Sequence, residues 1–271
     1  MEVRVEDSFE VLSQEEWDKY LGTDIFDNMF FEAGTLGESG DIFQNITRPR
    51  LHELIQEHNN KVGSLRITYA LCRHYYDKGI PDDPWYISPG KEGQSVQYFP
   101  NFNEEHWMRK YWFNYFTDTF YLKISAVWDS IVEIINEYYG YGFIQDLRFR
   151  SNVFKKLKDD NPDLISLFNA VQDDQLYKDA QKYRTSAAHG TSAGEVSNTV
   201  NTQRDVLTEV PEVVDGKMVK KTVRAKLVVS VGVGDYTNVQ TIMTNIEDYA
   251  RFSGSKMQEA IKLMESKSDE E

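Results

Sequence analysis

The sequence predicts a mainly α protein, a four-helix-bundle-like core with one inserted β-hairpin. Three features carry that reading. Residues 103–139 hold an unbroken helical pattern, other helical stretches begin near 47, 161 and 237, and a Val-rich segment of period 2 is split by Asp215-Gly216.

In chain order, Ser13 followed three residues later by Glu16 reads as a capping box, opening a short helix that carries Trp17 and Leu21 and closes at Gly22. Glycines 34, 37 and 40 follow, so residues 1–46 read as an N-terminal appendage packed on the later core. Thr47, with Pro49 in the first turn, opens a helix on which Leu51, Leu54, Ile55, Val62, Leu65, Tyr69 and Leu71 recur, and Gly79 and Pro81 end it. Four prolines between 81 and 100 mark a long loop held to the body by its aromatics.

Asn103, Glu104 and Glu105 start the long helix, stopped by the GYG at 140–142. Phe113, Phe116, Phe120, Ile124, Val127, Trp128, Ile131, Ile134, Ile135 and Tyr138 fall in one wide sector, with Asp118, Asp129, Glu133, Asn136 and Glu137 opposite. A stripe that wide belongs at the centre of a bundle. Asn161 and Pro162 form a cap and first-turn pair for a helix interrupted near Asp173 and Asp174, and the pattern resumes to Gly190, which suits a left-handed residue after a helix. Residues 206–214 and 217–233 form the hairpin, within an insertion of about 195–235. The last helix spans about 237–265 and leaves 266–271 as a disordered tail. The bundle is therefore expected over 47–265.

Composition narrows the function classes. The chain has 271 residues, 40% hydrophobic and 13% aromatic, and contains no 18-residue uncharged apolar run, so no membrane span is expected. The start, MEVRVEDSFEV, lacks the charged-then-apolar order of a secretion signal, and Cys72 is a single cysteine, so a cytoplasmic protein is expected. With 44 acidic against 30 basic residues the net charge is -14, which excludes broad coating of a nucleic acid but not a focused contact.

The segment with chemistry in it is KYRTSAAHG, residues 182–190. Metal-independent RNA cleavage needs a group of near-neutral pKa to move protons at the 2'-oxygen or leaving oxygen, and a cation for the phosphate. Histidine suits the first task and arginine the second. His189 and Arg184 are five positions apart, about 140° on a straight helix, so they converge only where the helix ends or distorts between them. The helix C-terminus favours a protonated His189 and the Arg184 cation opposes it, which leaves the resting charge open. The blander alternative is a solvated pair bonding the last carbonyls of a helix.

R-T-S-A-A-H-G, between a penultimate and a final bundle helix, resembles the signature of the HEPN superfamily (higher eukaryotes and prokaryotes nucleotide-binding). Its members are helical bundles marked by Arg, four to six residues, then His. Many are metal-independent ribonucleases, usually dimeric, with two motifs facing each other across the subunit interface; others only bind. The resemblance implies Arg184 and His189 as the site pair, with Gly190 matching the Gly that often follows the His. Active members often place Asn or another strongly polar residue after the Arg, where this chain has Thr185. No cofactor is implied.

Two basic runs could serve single-stranded RNA: Arg148, Arg150, Lys155, Lys156 and Lys158, and Lys217, Lys220, Lys221, Arg224 and Lys226, neither run containing an acid. Solvated faces of a short helix and a hairpin are the alternative. Asp118 and Asp129 could approach the motif or orient its imidazole. His52 and His58 share no helix face, and His74 and His106 lack partners at ligand spacing, so no metal site is predicted. The GVG at 232–234 lacks the third glycine of a phosphate loop, and Cys72 reads as core. Three functional readings stand together: a HEPN-type endoribonuclease or RNA-binding protein acting as a homodimer, a non-catalytic dimeric interaction module with a degenerate or coincidental motif whose hairpin offers an edge to a partner, and a structural protein in which the motif is coincidental.

Overall fold

The structure is a computed structural model that describes residues 8–32, 34–37, 49–214 and 216–268. Helix α1 (Gln14–Leu21) carries the capping box, with the Ser13 N–H donating to Glu16 Oε2 at 2.8 Å and the Glu16 N–H to Ser13 Oγ at 3.3 Å. A 3-10 turn at Asp24–Met29 then buries Ile25, Phe26 and Met29. Helix α2 covers Pro49–Asp77, whereas Thr47, the expected cap, lies outside the described residues, as do Gly40 and Asp215. Six of the seven apolar positions read for α2 are buried, and Leu71 is half-buried.

The long loop after α2 contains an element that its residues did not announce. Strands β1 (Tyr86–Ile87) and β2 (Gln97–Tyr98) pair antiparallel, and Trp85 stacks on Tyr98 with ring centroids 6.0 Å apart. Helix α3 (Glu104–Tyr138) follows, with the Asn103 side chain accepting from the His106 N–H at 2.9 Å. Its apolar sector is buried from Phe113 to Ile135, packed on α2 along one side and on α6 and α7 along others. Helix α4 (Phe149–Asp160) lies on α3 and α5, and α5 (Pro162–Asp173) starts at Asn161, whose Oδ1 accepts from the Leu164 N–H at 3.1 Å. The expected interruption is real: α5 stops, and Asp174 caps α6 (Gln175–His189) by accepting from the Leu176 N–H at 2.8 Å.

Strands β3 (Val200–Val214) and β4 (Lys217–Val231) form the hairpin, longer on its first strand than the alternation suggested, with Gly216 in the turn at φ 72°. Its two ends meet where the Ser197 N–H donates to the Asp235 carbonyl at 3.0 Å and the reverse bond closes at 2.8 Å. Helix α7 (Val239–Ser268) then returns across the bundle, three residues beyond the expected end. Buried Asp82 prepares its start, accepting from the Tyr236 hydroxyl at 2.5 Å and from the Val239 N–H at 2.8 Å. Among the described residues no helix is long and apolar enough to cross a membrane.

One buried polar group ties the N-terminal segment down. His58 on α2 contacts Ser130 Oγ on α3 and the Met29 carbonyl, each at 2.8 Å, and Phe31 stands edge-on to its ring at 4.9 Å. Burial pushes the imidazole down to about 4.

Phe120 is fully buried at the bundle centre, so Phe120→Ala should lower unfolding free energy by about 3–5 kcal/mol, while Leu207→Ala on exposed β3 should stay within about 0.5 kcal/mol, both read by urea denaturation. His58 stays neutral in the folded chain and charges on unfolding. Its contribution is complete above pH 6.5 and lost as pH falls towards 4, so a loss of about 3 kcal/mol over that window is expected and should be absent from the pH profile of His58→Gln.

Candidate functional site

The motif sits on the last turns of α6. The helix continues without a break through His189, and Gly190 closes it by donating to the Ser186 carbonyl at 2.8 Å. Gly190 has φ -145°, so the expected left-handed residue is not there. Because α6 neither ends nor bends between Arg184 and His189, the two side chains leave it about 140° apart, and within one chain the expected convergence does not occur. Arg184 is half-buried and His189 exposed.

At 100° per residue, Lys182, Ser186 and His189 fall within about 60° of one another, the i, i+4, i+7 face of α6. Lys182 and Ser186 line a polar cleft of about 350 Å³, which Tyr183 also borders. The chain after α6 supplies its second wall through Thr191, Ser192 and Glu195, and the segment leaving the hairpin supplies Asp235, Tyr236 and Thr237. Asn198 Nδ2 donates to Asp235 Oδ2 at 2.7 Å across the hairpin's root. His189 and Arg184 are not among the residues that line the cleft; His189 ends the helix on the face that carries Lys182 and Ser186, one turn beyond the lining.

The wall after the motif is braced by α3. Asp118 accepts from Ser192 Oγ at 3.0 Å and from the Ala193 N–H, and burial raises its carboxyl to about 6. One and two turns earlier, buried Asn114 and Lys110 both donate to the Gly194 carbonyl, the Asn114 bond at 3.3 Å. Lys110 Nζ also lies 5.2 Å from the Phe99 ring and 5.3 Å from the Tyr236 ring. Burial lowers its ammonium to about 8, partly offset by Glu195 and Asp82. Three side chains of α3 therefore hold residues 192–194, the backbone immediately beyond His189-Gly190.

The other candidates are dispersed. Asp129 lies further along α3, exposed, and pairs with Arg150 at 3.4 Å, so it does not join the motif. Arg150 also lies over the Phe154 ring at 5.1 Å, Lys156 pairs with Asp160 at 3.2 Å, and Arg148 and Lys155 are exposed on or beside α4. On the hairpin, Lys220 pairs with Glu209 at 3.0 Å and Lys221 with Glu212 at 3.1 Å, and Arg224 lies on β4. Thr185 is exposed on α6. The basic runs thus occupy two elements, and four of their cations share their charge with a carboxylate or a ring. Sequence reasoning missed Lys182, Ser186 and Ser192, although the i, i+4, i+7 spacing from Lys182 to His189 was there to be read.

The raised Asp118 carboxyl has a folded pKa above its unfolded value, so its contribution to stability is complete below about pH 4 and lost as pH rises through about 6. Asp118→Asn keeps an acceptor for Ser192 and Ala193 and removes the ionisation. Its Tm relative to wild type should climb between pH 4 and pH 7, measured by scanning calorimetry across that range.

Comparison with known proteins agrees with this architecture. A Cthe2314-like HEPN family model matches residues 54–264, from within α2 to near the end of α7, with the motif and the hairpin inside the match. No curated protein and no solved structure matches the chain. A match over most of the sequence, with the helix that carries the Arg184 to His189 segment inside it, places this chain in the HEPN family.

Proposed function

We propose that the protein is a metal-independent endoribonuclease of HEPN type that acts on single-stranded RNA as a homodimer. The observation that carries this reading is the position of His189, at the end of α6 on the face whose Lys182 and Ser186 line the polar cleft. Neutral imidazole takes the proton of a ribose 2'-hydroxyl as its oxygen attacks the adjacent phosphorus. The 2'-oxygen to phosphorus bond forms, the bond to the 5'-oxygen breaks, and protonated imidazole returns the proton to that leaving oxygen. Arginine meets the charge that builds on the phosphoryl oxygens.

Since Arg184 and His189 point away from one another on a single α6, the pair works across two copies, with Arg184 of one chain serving the phosphate held at His189 of the other. Lys182 adds a cation from the same chain as the histidine. Asp118 does not touch the imidazole; it and Lys110 fix the backbone that forms the far wall of the cleft. Charge on such a site is local, in keeping with a chain whose net charge is -14.

The non-catalytic interaction module is favoured by a different observation, a long hairpin none of whose strand residues is buried. Cleavage of single-stranded RNA in excess EDTA separates the readings. Wild type should cut, and His189→Ala and Arg184→Ala should each lose about 10²–10⁴-fold in rate with unchanged Tm. A folded wild type that leaves RNA intact, or a His189→Ala variant that cuts equally fast, ends the nuclease reading. Mixing the two inactive variants should restore part of the rate, because the mixed dimer keeps one complete Arg184 and His189 pair.

A further inference from the structure

The hairpin is a two-faced arm that no described residue of its own chain buries. Each strand has 15 residues, and none of them is buried. A two-stranded ribbon is marginal in water unless one face is packed. The register is constant from Val200 opposite Val231 to Val214 opposite Lys217, so directly opposed residues share a face along the whole length. One face then collects Val200, Val206, Val210, Val214, Val219, Val223, Leu227, Val229 and Val231, with the charges Glu212, Lys217 and Lys221 towards its tip and Arg204 nearer its root; the other carries Gln203, Glu209, Lys220 and Arg224 among only a few apolar residues, such as Leu207, Val213, Met218 and Val228. Such alternation is the signature of a strand pair with one side dry. Yet Val231 is 78% exposed and Leu227 56%.

The body carries a second uncovered apolar surface. Trp107, Tyr111, Tyr115 and Leu122 are 42–52% exposed and fall within about 80° on α3, on the half of the helix that holds the hairpin's root through Lys110 and Asn114. Among the described residues both surfaces are left exposed.

We infer that the hairpin is an exchange arm: its aliphatic face lies on the α3 aromatic stripe of a second copy of this chain, and the two arms clasp the two bodies about a two-fold axis. Three quantities favour a second copy. At about 3.3 Å per residue the arm is about 50 Å long, the diameter of a domain this size, so it reaches across a partner. A face of about 50 by 10 Å on each of two arms, counted on both sides, removes about 2,000 Å² from water, within the range of stable specific interfaces. Six basic and four acidic residues between 200 and 231 make the arm net positive, while the rest of the chain is at -16 within a total of -14, so an arm is attracted to another copy's body. Apolar contact along the arm supplies most of the affinity, and the isologous arrangement repeats each contact twice.

The inference deepens the homodimer part of the proposed function and is independent of RNA cleavage. Light scattering coupled to size exclusion on the full chain, with far-UV circular dichroism to check folding, tests it. Wild type should have twice the chain mass at tens of micromolar. Leu227→Glu with Val229→Glu, on the aliphatic face, should give a folded monomer, as should Tyr111→Glu on α3. Leu207→Glu and Met218→Glu, on the opposite face, should remain dimeric. Chains carrying Leu227→Cys mixed with chains carrying Tyr115→Cys should oxidise to a mixed covalent dimer in preference to either like pair. A monomeric wild type, opposite-face variants that dissociate as readily as aliphatic-face ones, or like-with-like crosslinking of Leu227→Cys overturns the arm. A dimer that obeys these rules while His189→Ala still cuts RNA overturns the nuclease and leaves the arm in place.

Discussion

Burying the apolar sector of α3 is the constraint on which the remaining elements depend. A 35-residue helix with aromatic and β-branched residues around so wide an arc cannot be satisfied by one neighbour, so α2, α6 and α7 are drawn to it from different sides. The polar residues that share this burial then act as fasteners. Ser130 reaches His58 and through it the Met29 carbonyl; Thr117 Oγ1 lies 3.4 Å from the Cys72 sulfur; Lys110 and Asn114 hold the Gly194 carbonyl. An unpaired buried amide, hydroxyl or ammonium is costly, so each of these partners is fixed in place as firmly as the helix is. The same helix thereby positions the core, the N-terminal segment and the backbone beyond the motif.

What the sequence revealed and what it hid divide by range. The α1 capping box, the Asn161 cap, the interruption near Asp173 and Asp174 and the α3 stripe are local patterns, in which a residue's role is set by neighbours a few positions away; that Asp174 itself caps α6 came only with the structure. The pairing of Tyr86 with Tyr98 is not local, and two-residue strands leave no alternation to read. The end of α6 misled for a physical reason. Glycine favours but does not require a left-handed backbone, and at Gly190 the chain must turn towards Asp118 and Lys110, which hold residues 192–194. The angle between Arg184 and His189 was legible from spacing, but the cleft lined by Lys182 and Ser186 was not, since its walls come from segments some fifty residues apart.

The acidity of the chain also has a more specific meaning once charges have places. Arg150, Lys156, Lys220 and Lys221 are ion-paired nearby, which blunts the basic runs as phosphate binders. On α6 itself, Lys182 shares the face of His189, whereas Arg184 lies about 140° away from it. The backbone at 192–194, which walls the polar cleft, is held by a buried lysine and a carboxylate that both carry charge less readily than they would in water.

The Ser197 to Asp235 bridge has a consequence for how the chain folds. Helices α6 and α7 pack together although residues 190–238 intervene, and closing an open loop of that length would be a penalty on joining them. Once β3 and β4 zip from Gly216 to the bridge, the span to be closed shrinks to the roughly 12 residues at the root, which lightens the closure entropy by about 1.2 kcal/mol. To the bundle, the insertion is therefore topologically short whatever its length in residues. Strand pairs could be added or removed at its tip while α6 and α7 stay in register, so the reach of the arm is free to vary independently of the helices that carry the motif.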